Sequence, residues 1–131
     1  ARFERITRTT YEVLQFLKQH PKVESVLFPL DETFPQVELA RLQMTGACGL
    51  MTIALKAEKM ESIVRFSESL KHIMMAVSWG GHESLIIPKC AGIPPKDFDP
   101  ANKEHRYVRL YVGLEDAKYL IDDLSQALDK I

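Results

Sequence analysis

Apolar side chains return at helical spacing at both ends of the chain, and short apolar runs broken by turn-forming residues fill the middle. Near the beginning, Phe3, Ile6, Thr10, Val13, Leu14 and Leu17 fall three or four apart, with Arg2, Glu4, Arg5 and Arg8 turned elsewhere. The spacing predicts an amphipathic helix that His20-Pro21 stops. Val23 to Pro29 reads as a short strand, Phe34 to Met44 as a helix ended by Thr45-Gly46, and Gly49 to Lys56 as a strand too short and apolar for a helix. Glu58 to His72 returns to helical spacing through Met60, Ile63, Val64, Phe66 and Leu70. Ile73 to Ser78 and Glu83 to Pro88 are strand candidates on either side of Trp79-Gly80-Gly81, with Met74-Met75 expected in the core. Tyr107 to Gly113 alternates strictly, and Ala117, Leu120, Ile121, Leu124, Ala127, Leu128 and Ile131 form the stripe of a last helix. Glu115 and Asp116 stand where that helix dipole favours negative charge.

The predicted order is helix, strand, helix, strand, helix, three strands, helix. It implies an α+β fold, a mostly antiparallel sheet with helices packed on one face. The chain has 131 residues, enough for a single domain over 1–131 with its own core. Lys89 to Arg106 carries Pro94, Pro95, Pro100 and many charges, and reads as a long loop with a functional or interface role. No initiator Met and no Ser, Asp or Pro cap precedes the first stripe. The expectation is that a segment ahead of Ala1 has been removed and that part of the first stripe is left exposed.

Charge narrows the partners. Seventeen Lys and Arg stand against eighteen Asp and Glu, a formal charge of −1 that makes no electrostatic case for nucleic acid or an acidic membrane. No apolar run approaches the ~20 residues that span a bilayer. Cys48 and Cys90 share no metal-ligand spacing and are read as reduced thiols of a cytoplasmic protein.

Two features can carry chemistry. In the strand Tyr107 to Gly113, Val108, Leu110 and Val112 point one way and Tyr107, Arg109 and Tyr111 the other. An arginine between two tyrosines in so apolar a strand is partly desolvated, and its planar fork suits a carboxylate. An exposed arginine paired with a neighbouring Glu is the alternative. The second feature is Ser78-Trp79-Gly80-Gly81, whose glycines allow a close backbone approach. It is either a pocket wall of hydroxyl and indole or a tight turn with Trp79 anchoring the core. His20, His72, His82 and His105 share no ligand spacing, so no metal site is expected, and no nucleophile–base pair or phosphate-cradling loop is present.

The runs SWGGHESL and, later, YVRLYVGLEDAKYLIDDLSQAL resemble the C-terminal domain of the Cys/Met-metabolism family of pyridoxal-phosphate (PLP) enzymes, which includes cystathionine β-lyase, cystathionine γ-lyase, cystathionine γ-synthase and methionine γ-lyase. The family pattern is a Ser, an apolar residue, two glycines and ESL, then R-L-x-[IV]-G-[IL]-E-D opening the last helix. GACGLMTIALK and VLQFLKQHPKVESVLFP extend the resemblance over essentially the whole chain.

The resemblance implies that Arg109 binds the substrate's α-carboxylate, with Ser78 beside it, Trp79 in the adjoining apolar position, and Gly80 and Gly81 shaping the loop. It implies PLP in the full-length enzyme, held by a large domain absent from this chain that also supplies the Schiff-base lysine. No lysine here sits in the family's S-x-T-K-Y/F context, so the chain alone is expected to be inactive and to hold no cofactor. The implied partners are that large domain, an amino-acid substrate and further copies, as a dimer of dimers. Two departures stand out. Val77 replaces the Glu that many eukaryotic γ-lyases carry, and IIPKCAGIPPKDFDP replaces a P-x-x-M/T-T-H segment. Trp79 in place of Leu resembles bacterial cystathionine β-lyases and favours that activity. A stand-alone, non-catalytic binding or regulatory domain of the same fold is the alternative.

Overall fold

The computed structural model describes residues 1–131. In chain order the elements are α1 (Arg2–Gln19), β1 (Val23–Leu27), α2 (Val37–Gln43), β2 (Leu50–Leu55), α3 (Met60–Ser69), β3 (Met74–Met75), β4 (Leu85–Pro88), β5 (Tyr107–Tyr111) and α4 (Ala117–Leu128). The strands form one sheet in the order β1-β2-β5-β4-β3, antiparallel except for β3 beside β4. This is the α+β architecture that the apolar pattern predicts.

Helix α4 packs against both α1 and α3, and together they cover one face of the sheet. Leu14 and Leu17 of α1, Ile63 and Phe66 of α3, and Leu120, Leu124 and Leu128 of α4 are almost fully buried against Ile53, Val108 and Leu110 of the strands. Each such side chain contributes about 1.5–3 kcal/mol through removal from water. The opposite face carries Leu50, Thr52 and Ala54 of β2 level with Tyr111, Arg109 and Tyr107 of β5, and then Leu85 and Ile87 of β4. No helix covers it; Ala54, Leu85 and Tyr111 are nevertheless buried there, and Tyr107 and Arg109 are the half-buried side chains that β5 presents on this face.

Three expectations are corrected. The strand expected over 73–78 shrinks to Met74–Met75, and both methionines are exposed (57% and 48%) because β3 is the edge strand. Lys89–Arg106 is not structureless: it winds through three short 3-10 turns at Lys89–Gly92, Pro95–Asp97 and Lys103–Arg106. Its end is anchored by the buried Arg106, which donates to the carbonyls of Pro100 (2.9 Å) and Leu55 (2.8 Å) and to Glu24 (3.1 Å). That anchor leads the chain directly into β5. The helix expected over 34–44 is shorter, Val37–Gln43, with Ala40 its one buried residue.

The connection between β3 and β4 matters most for the site. Parallel neighbours cannot be joined by a hairpin, so the chain must travel back along the sheet before re-entering it. Only Ala76 to Ser84 are available for this return. Gly80 takes φ +88° at its middle, a left-handed conformation that favours glycine. The result is an arch, 77–81, that leans over β4 toward β5.

Candidate carboxylate-binding site

Arg109 stands on the open face of β5, half-buried between Thr52 of β2 and Ile87 of β4. Its Nη2 donates to the carbonyl of Val77 and, at 3.4 Å, to that of Ser78, while Nη1 and Nε make no hydrogen bond within the chain. None of the ion pairs in the molecule involves it. The alternative of an arginine matched with a neighbouring Glu is therefore not what the fold builds. Nη1 and Nε remain for an external anion as charge-assisted donors, and a two-bond pairing with a carboxylate would also draw on Nη2, the nitrogen that meets the arch.

The structure brings Ser78 to Arg109 through its backbone carbonyl, with its side chain exposed. Trp79, next in the arch, is 60% exposed and so does not anchor the core. Its indole borders an apolar groove of about 480 Å³ with Phe3, Ile6, Leu50, Gly80 and Tyr111. Arg109 does not line that groove. It lies in a separate hollow of about 250 Å³ with Thr52, Ile87, Lys89 and Tyr107. The three residues expected at the site thus sit around one arch, but the cation and the indole face neighbouring concavities. The chemistry follows the cation, because an anion needs a donor before it needs an apolar wall.

Sequence reasoning missed three contributors. The Tyr111 hydroxyl donates to the carbonyl of Gly81 at 2.9 Å, and burial pushes the phenol's pKa up. Ser84 and Glu115 close the base of the arch: the Ser84 amide and hydroxyl each bond the Glu115 carboxylate at 2.7 Å, and the same hydroxyl accepts from the Gly113 amide at 2.9 Å. Glu115 is committed to this junction rather than to the helix dipole, and Asp116 caps α4 by accepting from the Lys118 amide. Ser84 leaves the strand expected over 83–88 for the same reason. Both residues belong to the two motifs, ESL and LED, whose contact could have been read as a pairing of a buried hydroxyl with a nearby carboxylate. The exposed His82 contacts Glu83 at 2.9 Å, and no group of three or more His, Cys, Asp or Glu side chains converges on a common point. Cys48 and Cys90 are free thiols. No helix is long and apolar enough to cross a membrane.

A family model described as Cys/Met metabolism PLP-dependent enzyme matches residues 1–129. Among curated proteins, the cystathionine gamma-lyase of Macaca fascicularis is 39% identical over 131 residues, covering 97% of this chain and 32% of the relative. The L-methionine gamma-lyase of Treponema denticola is 38% identical over 134 residues, covering 99% and 33%. The cystathionine gamma-lyase of Dictyostelium discoideum is 35% identical over 133 residues, covering 98% and 34%. The chain spans about a third of the length of the relatives it matches.

Proposed function

Because the chain belongs to the family of Cys/Met metabolism PLP-dependent enzymes, we propose that it is the part of such an enzyme that receives the α-carboxylate of a sulfur-containing amino acid, with Arg109 as the ligand and Ser78 and Trp79 beside it. The observation that carries this reading is the Arg109 guanidinium. It stands on the open sheet face, steadied by two carbonyls, opposed by no acid and with Nη1 and Nε uncommitted.

The donor set suits a substrate and not the cofactor. PLP needs an amine for its aldehyde, an acid at its ring nitrogen and a cradle for its phosphate. The Arg109 hollow offers a guanidinium, the ammonium of Lys89, and hydroxyls from Thr52 and Tyr107, with no acid. In this proposal the cofactor is held by a further domain of the parent enzyme, consistent with the third of the relatives' length that the chain covers. When bound there, PLP supplies an electron sink for negative charge at the substrate's Cα. Arg109 holds the carboxylate by charge-assisted hydrogen bonds, and before the substrate arrives the arch carbonyls hold its Nη2 in place. Substrate orientation of this kind is worth several kcal/mol once reacting groups are correctly placed. Trp79 lines the neighbouring groove. No residue of this chain is assigned a proton transfer, so the chain alone is inactive on this reading. The parent is a cytoplasmic homo-oligomer that breaks a C–S bond. Loss of sulfur from Cγ is the reading supported by the relatives' names, and loss from Cβ is supported by Trp79 alone.

Arg109→Lys in the parent holoenzyme tests the assignment. KM should rise about 10- to 150-fold, as expected for loss of a charge-assisted pair worth about 1.5–3 kcal/mol, while the cofactor's absorbance stays unchanged. Unaltered kinetics would overturn it. Restored activity on mixing this chain with a separately expressed PLP-binding domain would support the division of labour. A natural protein that begins near Ala1 would favour the stand-alone binding domain instead.

A further inference from the structure

We propose that Tyr111 is the positioning residue of the carboxylate site, acting on Arg109 and Ser78 through the backbone of the 77–81 arch rather than by touching the substrate. This rests on the carboxylate-binding reading above.

Arg109 and Tyr111 are i and i+2 on one strand, so both side chains rise from the same face of β5. Both reach across to the arch and both bond its carbonyls, Arg109 at Val77 and Ser78, and Tyr111 at Gly81. The arch therefore has two feet, with Trp79 and the left-handed Gly80 between them. The feet differ in kind. The Arg109 foot uses the same guanidinium that an incoming carboxylate would engage, so it is exchangeable. The Tyr111 foot makes no demand on that guanidinium and stays in place when an anion arrives.

Tyr111 is itself held firmly. It is 4% exposed, and a Cβ added at Gly49 would lie 2.8 Å from its Cε2, so the Gly49 backbone presses on the ring. A seated ring aims its hydroxyl at a fixed point, and that point is Gly81. No other side chain bonds a carbonyl of the arch. With the Tyr111 foot gone, only the exchangeable contact would restrain residues 77–81, and carboxylate binding would have to order the arch at its own cost.

Tyr111→Phe keeps the packed ring and deletes only the hydroxyl. One hydrogen bond of this class corresponds to a change of about 2- to 12-fold in the detached population. In this chain, 15N order parameters of the 78–82 amides are expected to fall from the rigid range near 0.85 toward 0.6 or below. The β2 and β5 amides should hold their values. In the parent holoenzyme, KM should rise about 2- to 12-fold with kcat nearly unchanged. Order parameters that stay at the wild-type level, loosening spread over the whole sheet, or an unchanged KM would each overturn the proposal. The order-parameter result needs no ligand, so it stands or falls separately from the Arg109→Lys kinetics that test the function.

Discussion

Ser84 and Glu115, 31 residues apart, meet at two hydrogen bonds of 2.7 Å, and through them the return of the arch is fastened to the turn that opens α4. Ser84 is 1% exposed, so its amide and hydroxyl have no water to fall back on. Glu115→Ala should lower stability by about 1–3 kcal/mol, the cost of stranding buried donors. Glu115→Gln, which keeps one acceptor oxygen, should cost less. Urea unfolding midpoints at neutral pH give the comparison, and an unchanged midpoint for Glu115→Ala would show that the pair contributes nothing.

A second carboxylate makes stability pH-dependent. Asp123 of α4 accepts from the amides of Lys71, His72 and Ile73 at 2.8, 2.9 and 3.0 Å, tying α4 to the turn after α3. Burial opposes its ionisation, but those amides and Gln126 outweigh it and hold the pKa below the ordinary value. Asp31 behaves likewise: burial opposes its charge, and Lys18 at 2.7 Å and Thr33 outweigh burial. The sign follows from linkage. A carboxyl whose folded pKa is depressed contributes its full stabilisation above the unfolded value, about 3.9 for Asp, and loses it as pH falls through the folded value. The contribution of these two carboxyls should be level from pH 7 to about 5 and then decline with acid. His20, whose pKa burial lowers, adds its own decline as pH falls through the ordinary histidine range. Asp123→Asn should lose about 1–3 kcal/mol at pH 7 and show a shallower acid decline. A variant whose acid profile matches the wild type would contradict the assignment.

How much of this was legible in the sequence differs by kind of contact. Alternation in Tyr107 to Gly113 placed Arg109 on the face opposite Leu110 because side-chain type reports burial directly. Its partners could not be read, because Val77 and Ser78 contribute carbonyls that every residue possesses. Met74-Met75 reads as core in the sequence but is exposed, because an apolar pair says nothing about its strand's place in the sheet and β3 is the edge. The prolines and charges of 89–106 hid a segment held by Arg106, whose partners lie in β1, at the end of β2 and within the segment itself. Patterns along the chain report faces, and contacts between distant backbones leave no pattern.

Gly80 and Gly113 separate two reasons for being glycine, and a four-variant comparison should resolve them. A Cβ at Gly113 would sit 2.3 Å from the His82 carbonyl oxygen and 2.7 Å from the Glu83 carbonyl carbon. Those are main-chain atoms, and the same His82 oxygen accepts from the Leu114 amide at 2.8 Å, so relief requires breaking the junction. Gly113→Ala should cost about 1–3 kcal/mol, in the range of other overpacked sites, and Gly113→Asn should cost more because it is larger. At Gly80 nothing lies within 4 Å of the added carbon, so the obstacle is φ +88° alone. Gly80→Ala should cost about 1–2 kcal/mol, but Gly80→Asn should recover part of the loss, since asparagine tolerates left-handed backbone. Thermal or urea unfolding of the four variants distinguishes the cases by the order of Ala and Asn at each site. Asn worse than Ala at Gly80 would mean the arch is constrained by space and not by backbone. Since Trp79 is the one tryptophan in the chain, its emission shows in the same samples whether Gly113→Ala shifts the arch as well as weakening the fold.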